Sequence, residues 1–388
     1  MEQKCVIHFL PAEAGDCFIL ENERKACILI DCGYRSTYQN ELKPLLKRLA
    51  KEGCRISLMI ITHIDEDHLE GAIALLEDNK YSDDPQIIPI DNIWFNGVLA
   101  VCSQSDRILS HVKEKLENSE ETKYSEVFGQ VLKQHKGKSG PVSVRESESF
   151  EVLCKKYKYN INQGFNSGLV ESGVEKNFQG FRVKVLSPDR MLLELFEAYI
   201  HRELVCCFGR NYSLIQNKKF YSFLENLFIV LGKDENGSVR EQYICSAIPD
   251  IEDWIGTSTM AAMNTVNRAS IVVEIEYAGY KMLFMGDSES QDWISNASKH
   301  YNLVKLSHHG TTKPNIELLS NIKCDRVLIS TNGSRNNHPE DELLANVIKV
   351  GVPEMYFNYD IDRKGDIMLL QERYNYKAFF SSREIVLR

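Results

Sequence analysis

Ile56-Ser57-Leu58-Met59-Ile60-Ile61-Thr62-His63-Ile64-Asp65-Glu66-Asp67-His68 joins an apolar run of strand length to a cluster of the pattern His-x-Asp-x-Asp-His. Ligands on the loop after a buried strand are held by a rigid scaffold yet face a cleft. Two imidazoles and two carboxylates, at His63, Asp65, Asp67 and His68, can surround one or two divalent ions at bond lengths of about 2.0–2.2 Å. The plain alternative is a solvated acidic turn with Asp67 capping the next helix.

Upstream, Lys4–Leu10, Cys17–Leu20 and Lys25–Ile30 read as strands, the last ending at Asp31-Cys32-Gly33. An amphipathic helix follows from Tyr38 to Glu52, with Leu42, Leu45, Leu46 and Leu49 on one face and Gly53 at its end. Gly71–Asn79 reads as the next helix. From about 101 to 179 the chain is polar and helical or loop. Phe181–Leu186 is a strand, and Arg190 to about Met263 is again helical. Strands resume at Ser270–Glu276, Lys281–Gly286, Leu303–Ser307, Arg326–Ser330, Glu354–Phe357 and Asp366–Leu370, with a helix at Glu340–Val350. This pattern predicts one α/β domain over 1–388, with its core at 1–100, 181–189 and 265–388 and helical insertions at about 101–180 and 190–264.

Three later strand ends carry the same kind of chemistry. Met282–Met285 runs into Gly286-Asp287, where a carboxylate can bridge two metals, although Gly-Asp alone is commonly a turn. Leu303–Leu306 runs into Ser307-His308-His309-Gly310, a paired-histidine metal signal. Ser330-Thr331-Asn332 follows another strand, and His338-Pro339 opens a helix, where an imidazole can donate to a phosphate or a leaving group. Five of the ten histidines thus fall in strand-end loops. His8, His111, His135, His201 and His300 read as packing or surface residues.

Composition excludes other classes. The 388 residues carry 46 Lys+Arg against 55 Asp+Glu, a formal net charge of −9, which argues against a protein that coats nucleic acid non-specifically. With 43% hydrophobic residues the chain is not disordered, and its apolar runs are far too short to span a membrane. Met1–Leu10 lacks the basic and long apolar regions of a secretion signal. Eleven scattered cysteines read as reduced thiols, hence a cytoplasmic expectation.

The order Gly15-Asp16, Asp31-Cys32-Gly33, Thr62-His63-x-Asp65-x-Asp67-His68, Gly286-Asp287, His308-His309-Gly310, His338-Pro339 resembles the metallo-β-lactamase fold superfamily. Within it, Lys305-x-x-His308-His309-Gly310, Asp360-x-Asp362-x-x-Gly365-Asp366 and Asn267-x-x-Ser270 resemble the hydrolase branch of the DNA-uptake protein ComEC and its free-standing relatives. The broad signature is His-x-His-x-Asp-His, and Asp65 stands where it has a second histidine, as in that branch. The resemblance implies an αββα sandwich of two mixed sheets and a metal-dependent hydrolase. It implies that His63, Asp65 and Asp287 hold one metal and that Asp67, His68, Asp287 and His309 hold the other. It further implies a metal-activated hydroxide as nucleophile, and His338 and His308 holding the scissile phosphate or protonating the leaving oxygen. Asp16 and Asp31 would orient ligands from behind, unless they only cap turns. The usual third-motif histidine has no counterpart in this chain, and Asn267 takes the polar position near it. The carboxylate-rich set favours Mn²⁺ or Mg²⁺, with Zn²⁺ still open.

The implied activity is a phosphodiesterase or nuclease. Two alternatives remain, a small-molecule ester, lactone or phosphoester hydrolase and a partner-dependent component of a bacterial defence system. A nucleic-acid or nucleotide substrate is open, as is a protein partner through the insertions. Lys155-Lys156-Tyr157-Lys158-Tyr159 could line a nucleic-acid groove. Lys43, Lys47, Arg48, Lys51 and Arg55 read as a solvated helix face.

Overall fold

The computed structural model describes residues 4–102, 150–208, 250–258, 260–335 and 337–388. The sequence readings at His111 and His135 lie outside them, as does most of each insertion. Strands β1 (Cys5–Phe9), β2 (Phe18–Asn22), β3 (Ala26–Ile30), β4 (Arg55–Ile60), β5 (Ile93–Trp94) and β16 (Glu384–Leu387) form a six-stranded sheet in the order β16-β1-β2-β3-β4-β5. β6 (Glu175–Phe178), β7 (Phe181–Ser187), β8 (Val272–Tyr277), β9 (Tyr280–Phe284), β11 (Leu303–Lys305), β13 (Arg326–Ile329), β14 (Glu354–Phe357) and β15 (Lys377–Phe379) form an eight-stranded sheet in the order β15-β14-β13-β11-β9-β8-β7-β6. A small ribbon pairs β10 (His300–Tyr301) with β12 (Lys323–Cys324). Both large sheets are mixed: β3-β4-β5 run parallel beside an antiparallel half, as do β9-β11-β13-β14-β15.

Strand alternation distributes the apolar residues among three cores. Ile28, Ile30, Leu58 and Ile60 of the first sheet meet Val183, Val273, Ile275, Phe284 and Leu328 of the second in one cluster, so the sheets face each other. The other face of the first sheet, through Cys27, Leu29, Ile56 and Met59, is covered by helices α1 (Lys43–Lys51), α2 (Glu66–Asn79), α3 (Phe150–Lys156) and α4 (Arg190–Phe208). The outer face of the second sheet is covered by α5 (Lys313–Asn321), α6 (Asp341–Lys349) and α7 (Lys364–Tyr374). The result is the four-layered α/β sandwich that the family resemblance implies. The five strands β3, β4, β9, β11 and β13 end where the loops bearing Asp31, His63, Asp287, His309 and Ser330 begin.

Several readings need correction. Asp366–Leu370 is not a strand but part of helix α7. A four-residue apolar run fits either period. In this run Ile367 and Leu370, three apart, are fully buried, while Met368 and Leu369 are 47% and 61% exposed. Helix α2 starts at Glu66, five residues ahead of the expected start, with Asp65 rather than Asp67 at its N-cap. The stretch expected to be helical or loop contains strand β6. In Lys155–Tyr159 the lysines are exposed, but Tyr157 and Tyr159 are buried in the core and Tyr159 Oη accepts from Asn79 Nδ2 at 2.9 Å. Those rings cannot stack on bases. Lys43, Arg48 and Arg55 pair with Asp78, Glu384 and Asp91, as befits a solvated face.

The register of α7 is testable by urea unfolding. Ile367→Ala should cost about 2–5 kcal/mol, whereas Leu369→Ala should stay within about 0.5 kcal/mol. Equal losses at both positions, as a strand would give, would contradict the helix.

Candidate metal centre

Each strand end delivers one part of the site. The β3 end gives Asp31 (φ 53°), a left-handed position rarely taken by a residue other than glycine. This aims its carboxylate across to β4, where it accepts from Thr62 N (2.8 Å), Thr62 Oγ1 (2.8 Å) and His68 Nδ1 (2.8 Å). The β9 end turns at Gly286 (φ 51°), where a Cβ would lie 2.8 Å from Thr62 Cβ. Only glycine lets the Asp287 loop close on the His63 loop there. His308 and His309 are both left-handed (φ 49° and 55°), presenting two adjacent imidazoles to one centre.

That centre is Asp287 Oδ2. The Nε2 atoms of His309, His68, His63 and His308 lie 3.3, 3.6, 3.9 and 3.9 Å from it. Asp67 Oδ2 is 3.3 Å from His309 Nε2, and Asp65 Oδ2 is 3.6 Å from His63 Nε2. Ligand atoms around one ion at about 2.1 Å stand roughly 3.4 Å apart in a tetrahedron. Ligand atoms converge in the groups His63–His68–Asp287, Asp67–His68–His309, Asp16–Asp31–His68 and Asp16–Asp287–His309.

Hydrogen bonding fixes the tautomers. His68 Nδ1–H donates to Asp31, and His309 Nδ1–H donates to the Ser330 carbonyl at 3.2 Å. Thr62 spends its own proton on Asp31, so His63 Nδ1–H donates to Thr62 Oγ1 at 3.0 Å. All three imidazoles therefore turn Nε2 inward, the nitrogen that metal-ligating histidines held this way present to a metal. Those three Nε2 atoms, with Asp16 Oδ1 and Asp287 Oδ1, are buried without a hydrogen-bond partner among the described residues. Buried polar atoms facing one another without partners are costly unless a cation meets them. The donor set thus fits divalent metal.

Electrostatics agree. Burial drives the Asp287 carboxyl up, but His309, His68 and His308 outweigh it and hold it well below the usual carboxylate range. Burial likewise pushes the Asp67 carboxyl up, but His68 and His309 outweigh it and hold it below the usual carboxylate range. Burial disfavours charge on His68 and His309, yet the surrounding carboxylates, Asp287 foremost, raise both well above the ordinary imidazole value. Lys305, also fully buried, is the fixed counter-charge. Its ammonium pairs with Asp16, donates to the Gly286 carbonyl (3.1 Å) and lies 3.7 Å from Asp287.

The other expected residues sit at the margin. His308 is partly open, and its ring stands 5.3 Å from that of buried His338. Thr311 Oγ1 lies 3.0 Å from His308 Nδ1 and from His338 Nε2. Burial lowers the pKa of both, that of His338 well below the ordinary value with the help of neighbouring His308 and His309. Asn267 is buried in the short helix Thr265–Arg268, whose following turn hands Ser270 Oγ to the Asp287 amide at 3.3 Å. Asn267 Oδ1 has no partner among the described residues. His8 bridges Glu21 and Glu384, and exposed His300 pairs with Asp325, as packing and surface residues do. The sequence alone assigns no role to Thr311, the Ser330 carbonyl or the Lys305 ammonium. The spacing Lys305-x-x-His308 is the one visible sign of the last.

Residues 10–83 match the family model of the Metallo-beta-lactamase superfamily. They cover β2 to α2 and therefore Asp16, Asp31, His63, Asp65, Asp67 and His68. Proteins of this fold are generally hydrolases that bind one or two divalent metals. The sequence matches no curated protein. Solved structures similar to the chain include the metallo-beta-lactamase fold protein YhfI from Bacillus subtilis, at 7% identity over 100% of both chains with a TM-score of 0.39. Another is CmlA, a diiron β-hydroxylase from Streptomyces venezuelae, at 10% identity, covering 100% of this chain and 55% of that one, with a TM-score of 0.38. Among the described residues, no helix is long and apolar enough to cross a membrane.

Two outcomes follow from this geometry. Asp31→Asn keeps every inward ligand but weakens the hold on His68, and should lower metal affinity about 10–100-fold. Because the surrounding carboxylates raise the pKa of His68 and His309, protons compete with metal for these imidazoles. Affinity by calorimetry should therefore rise with pH, up to about tenfold per unit for each displaced proton. A flat pH profile would contradict protonation of His68 and His309 in the metal-free protein.

Proposed function

We propose that the protein is a metal-dependent phosphodiesterase, with a nuclease of the ComEC-like branch as its nearest functional type. The observation that carries this reading is the convergence of four imidazole Nε2 atoms on one carboxylate oxygen of Asp287. When bound, divalent ions would supply a Lewis acid and a water of lowered pKa. His63, His68, Asp67, Asp287 and His309 would hold them, with Asp65 reaching in from the open side. Asp31, Thr62 and Ser330 keep the ligands aimed. The buried Lys305–Asp16 pair fixes the floor of the site.

On the open side stand two imidazoles without a carboxylate hydrogen bond among the described residues, His308 and His338. Their depressed pKa values keep them neutral at neutral pH. Neutral imidazole N–H groups suit the anionic oxygens of a phosphodiester better than they suit a stored proton. This refines the sequence expectation that they hold the phosphate or protonate the leaving oxygen toward the first of those roles. The proposal takes 1–388 as a single unit, with Mn²⁺ or Zn²⁺ as metal.

Hydrolysis of bis-p-nitrophenyl phosphate with added Mn²⁺ or Zn²⁺ tests the reading. His68→Ala should lose metal and activity together. His338→Ala should keep its metal and lose about 10²–10³-fold in turnover. Metal-loaded wild type that leaves the diester intact would overturn the phosphodiesterase reading, and loss of metal in His338→Ala would overturn the substrate-side role of that residue.

A further inference from the structure

Beside the open side of the metal cluster, on the Asp67 flank, lies a pair that none of the chemistry above uses. Tyr34 follows Cys32-Gly33, whose backbone is tied to α2 by Cys32 N–His68 O (3.0 Å) and Gly71 N–Gly33 O (2.8 Å). Its side chain is nine-tenths buried, yet its hydroxyl has no hydrogen-bond partner among the described residues. Burial and then the charge of Asp67 are the main influences raising its pKa, so the phenol stays protonated and remains a donor. Over this ring, 5.4 Å from its centroid, sits the guanidinium of exposed Arg335. Arg335 belongs to the His338 loop, whose backbone is closed by His338 N–Arg335 O (3.1 Å) and joined to the Asp16 loop by Asn332 N–Glu13 O (2.9 Å). The two residues thus come from different loops that both border the same ligands.

A buried hydroxyl with nothing to bond is costly to keep, and an exposed arginine without a carboxylate contact among the described residues can take an anion. Stacking on Tyr34 restricts the guanidinium, so less freedom is lost when it engages two oxygens at once. We infer that Tyr34 and Arg335 form an anion-binding arm that receives a phosphate group of the substrate at the Asp67 side of the metal centre. The arm extends the phosphodiesterase reading and rests on it, because the negative charge of Asp67 and Glu66 would repel a phosphate unless cations fill the cluster. It selects anionic over neutral substrates and binds through Arg335 as a fork and Tyr34 as a single donor.

The experiment is calorimetric titration of inorganic phosphate into the metal-loaded full chain, alongside metal content and thermal stability. Arg335→Gln should weaken phosphate binding about tenfold or more, and Arg335→Lys, which keeps the charge but loses the fork, should recover only part of it. Arg373→Gln, on the exposed face of α7, should bind as wild type does. Tyr34→Phe should weaken phosphate binding severalfold while leaving thermal stability unchanged or higher, a pattern that a purely structural hydroxyl would not give. Metal content should be the same in all. If wild type binds phosphate and Arg335→Gln and Tyr34→Phe bind it equally well, the arm is overturned while the phosphodiesterase reading stands. If metal-loaded wild type binds no phosphate, both the arm and the reading beneath it fail.

Discussion

Negative charge buried without an equal positive charge is the constraint on which this structure turns. Asp16, Asp31 and Asp287 are buried at one end of the sheet sandwich, and Asp67 stands partly covered beside them. Among the described residues, Lys305 is the fixed cation in their midst. An ionised carboxylate out of water is costly by several kcal/mol unless it is paired. In the metal-free protein, the raised pKa values of His68 and His309 show how the cluster copes: it draws protons onto its imidazoles. Divalent ions satisfy the same demand better, because they meet several orphaned acceptors at once.

The fold makes this concentration of charge tolerable. Parallel strands β3 and β4 in one sheet, and β9, β11 and β13 in the other, bring their carboxyl ends to one edge. Tight apolar packing between the sheets fixes those ends, so the loops have little freedom to separate the like charges. Gly286 and Gly15 then allow the loops to touch; a Cβ on Gly15 would lie 2.1 Å from the Asp67 carbonyl oxygen. Behind the ligands a second set of bonds, Asp31 to Thr62 and His68 and Ser330 to His309, decides which nitrogen of each imidazole faces inward. Scaffold, loop contact and tautomer form a chain, each depending on the one before.

Much of this is legible in the sequence because buried strands of continuous apolar residues announce themselves, and the residues just after them can be read as a set. Ile56–Ile61 followed by His63, Asp65, Asp67 and His68 is such a case, and so is Met282–Met285 before Asp287. Elsewhere the pattern is too short or too generic. Ile367–Leu370 gives four apolar residues in a row, a length that cannot separate period two from period 3.6. Lys and Tyr alternate over 156–159 as on an exposed ribbon, whereas the tyrosines turn into the core. A backbone carbonyl such as that of Ser330 carries no sequence mark, and Thr311 is an ordinary threonine until the two imidazoles beside it are seen. Tyr34 and Arg335 lie some 300 positions apart, so only the meeting of their loops pairs them.

All of this rests on the carboxylate–imidazole cluster being built to hold divalent cations. The decisive test is elemental analysis of the purified chain equilibrated with Mn²⁺ or Zn²⁺, wild type against Asp287→Asn. One or two equivalents of metal are expected in the wild type, with a marked loss when the shared oxygen of Asp287 is replaced by an amide. A folded wild type that retains no metal, or an Asp287→Asn protein that retains as much as the wild type, would contradict a metal-holding role for the cluster.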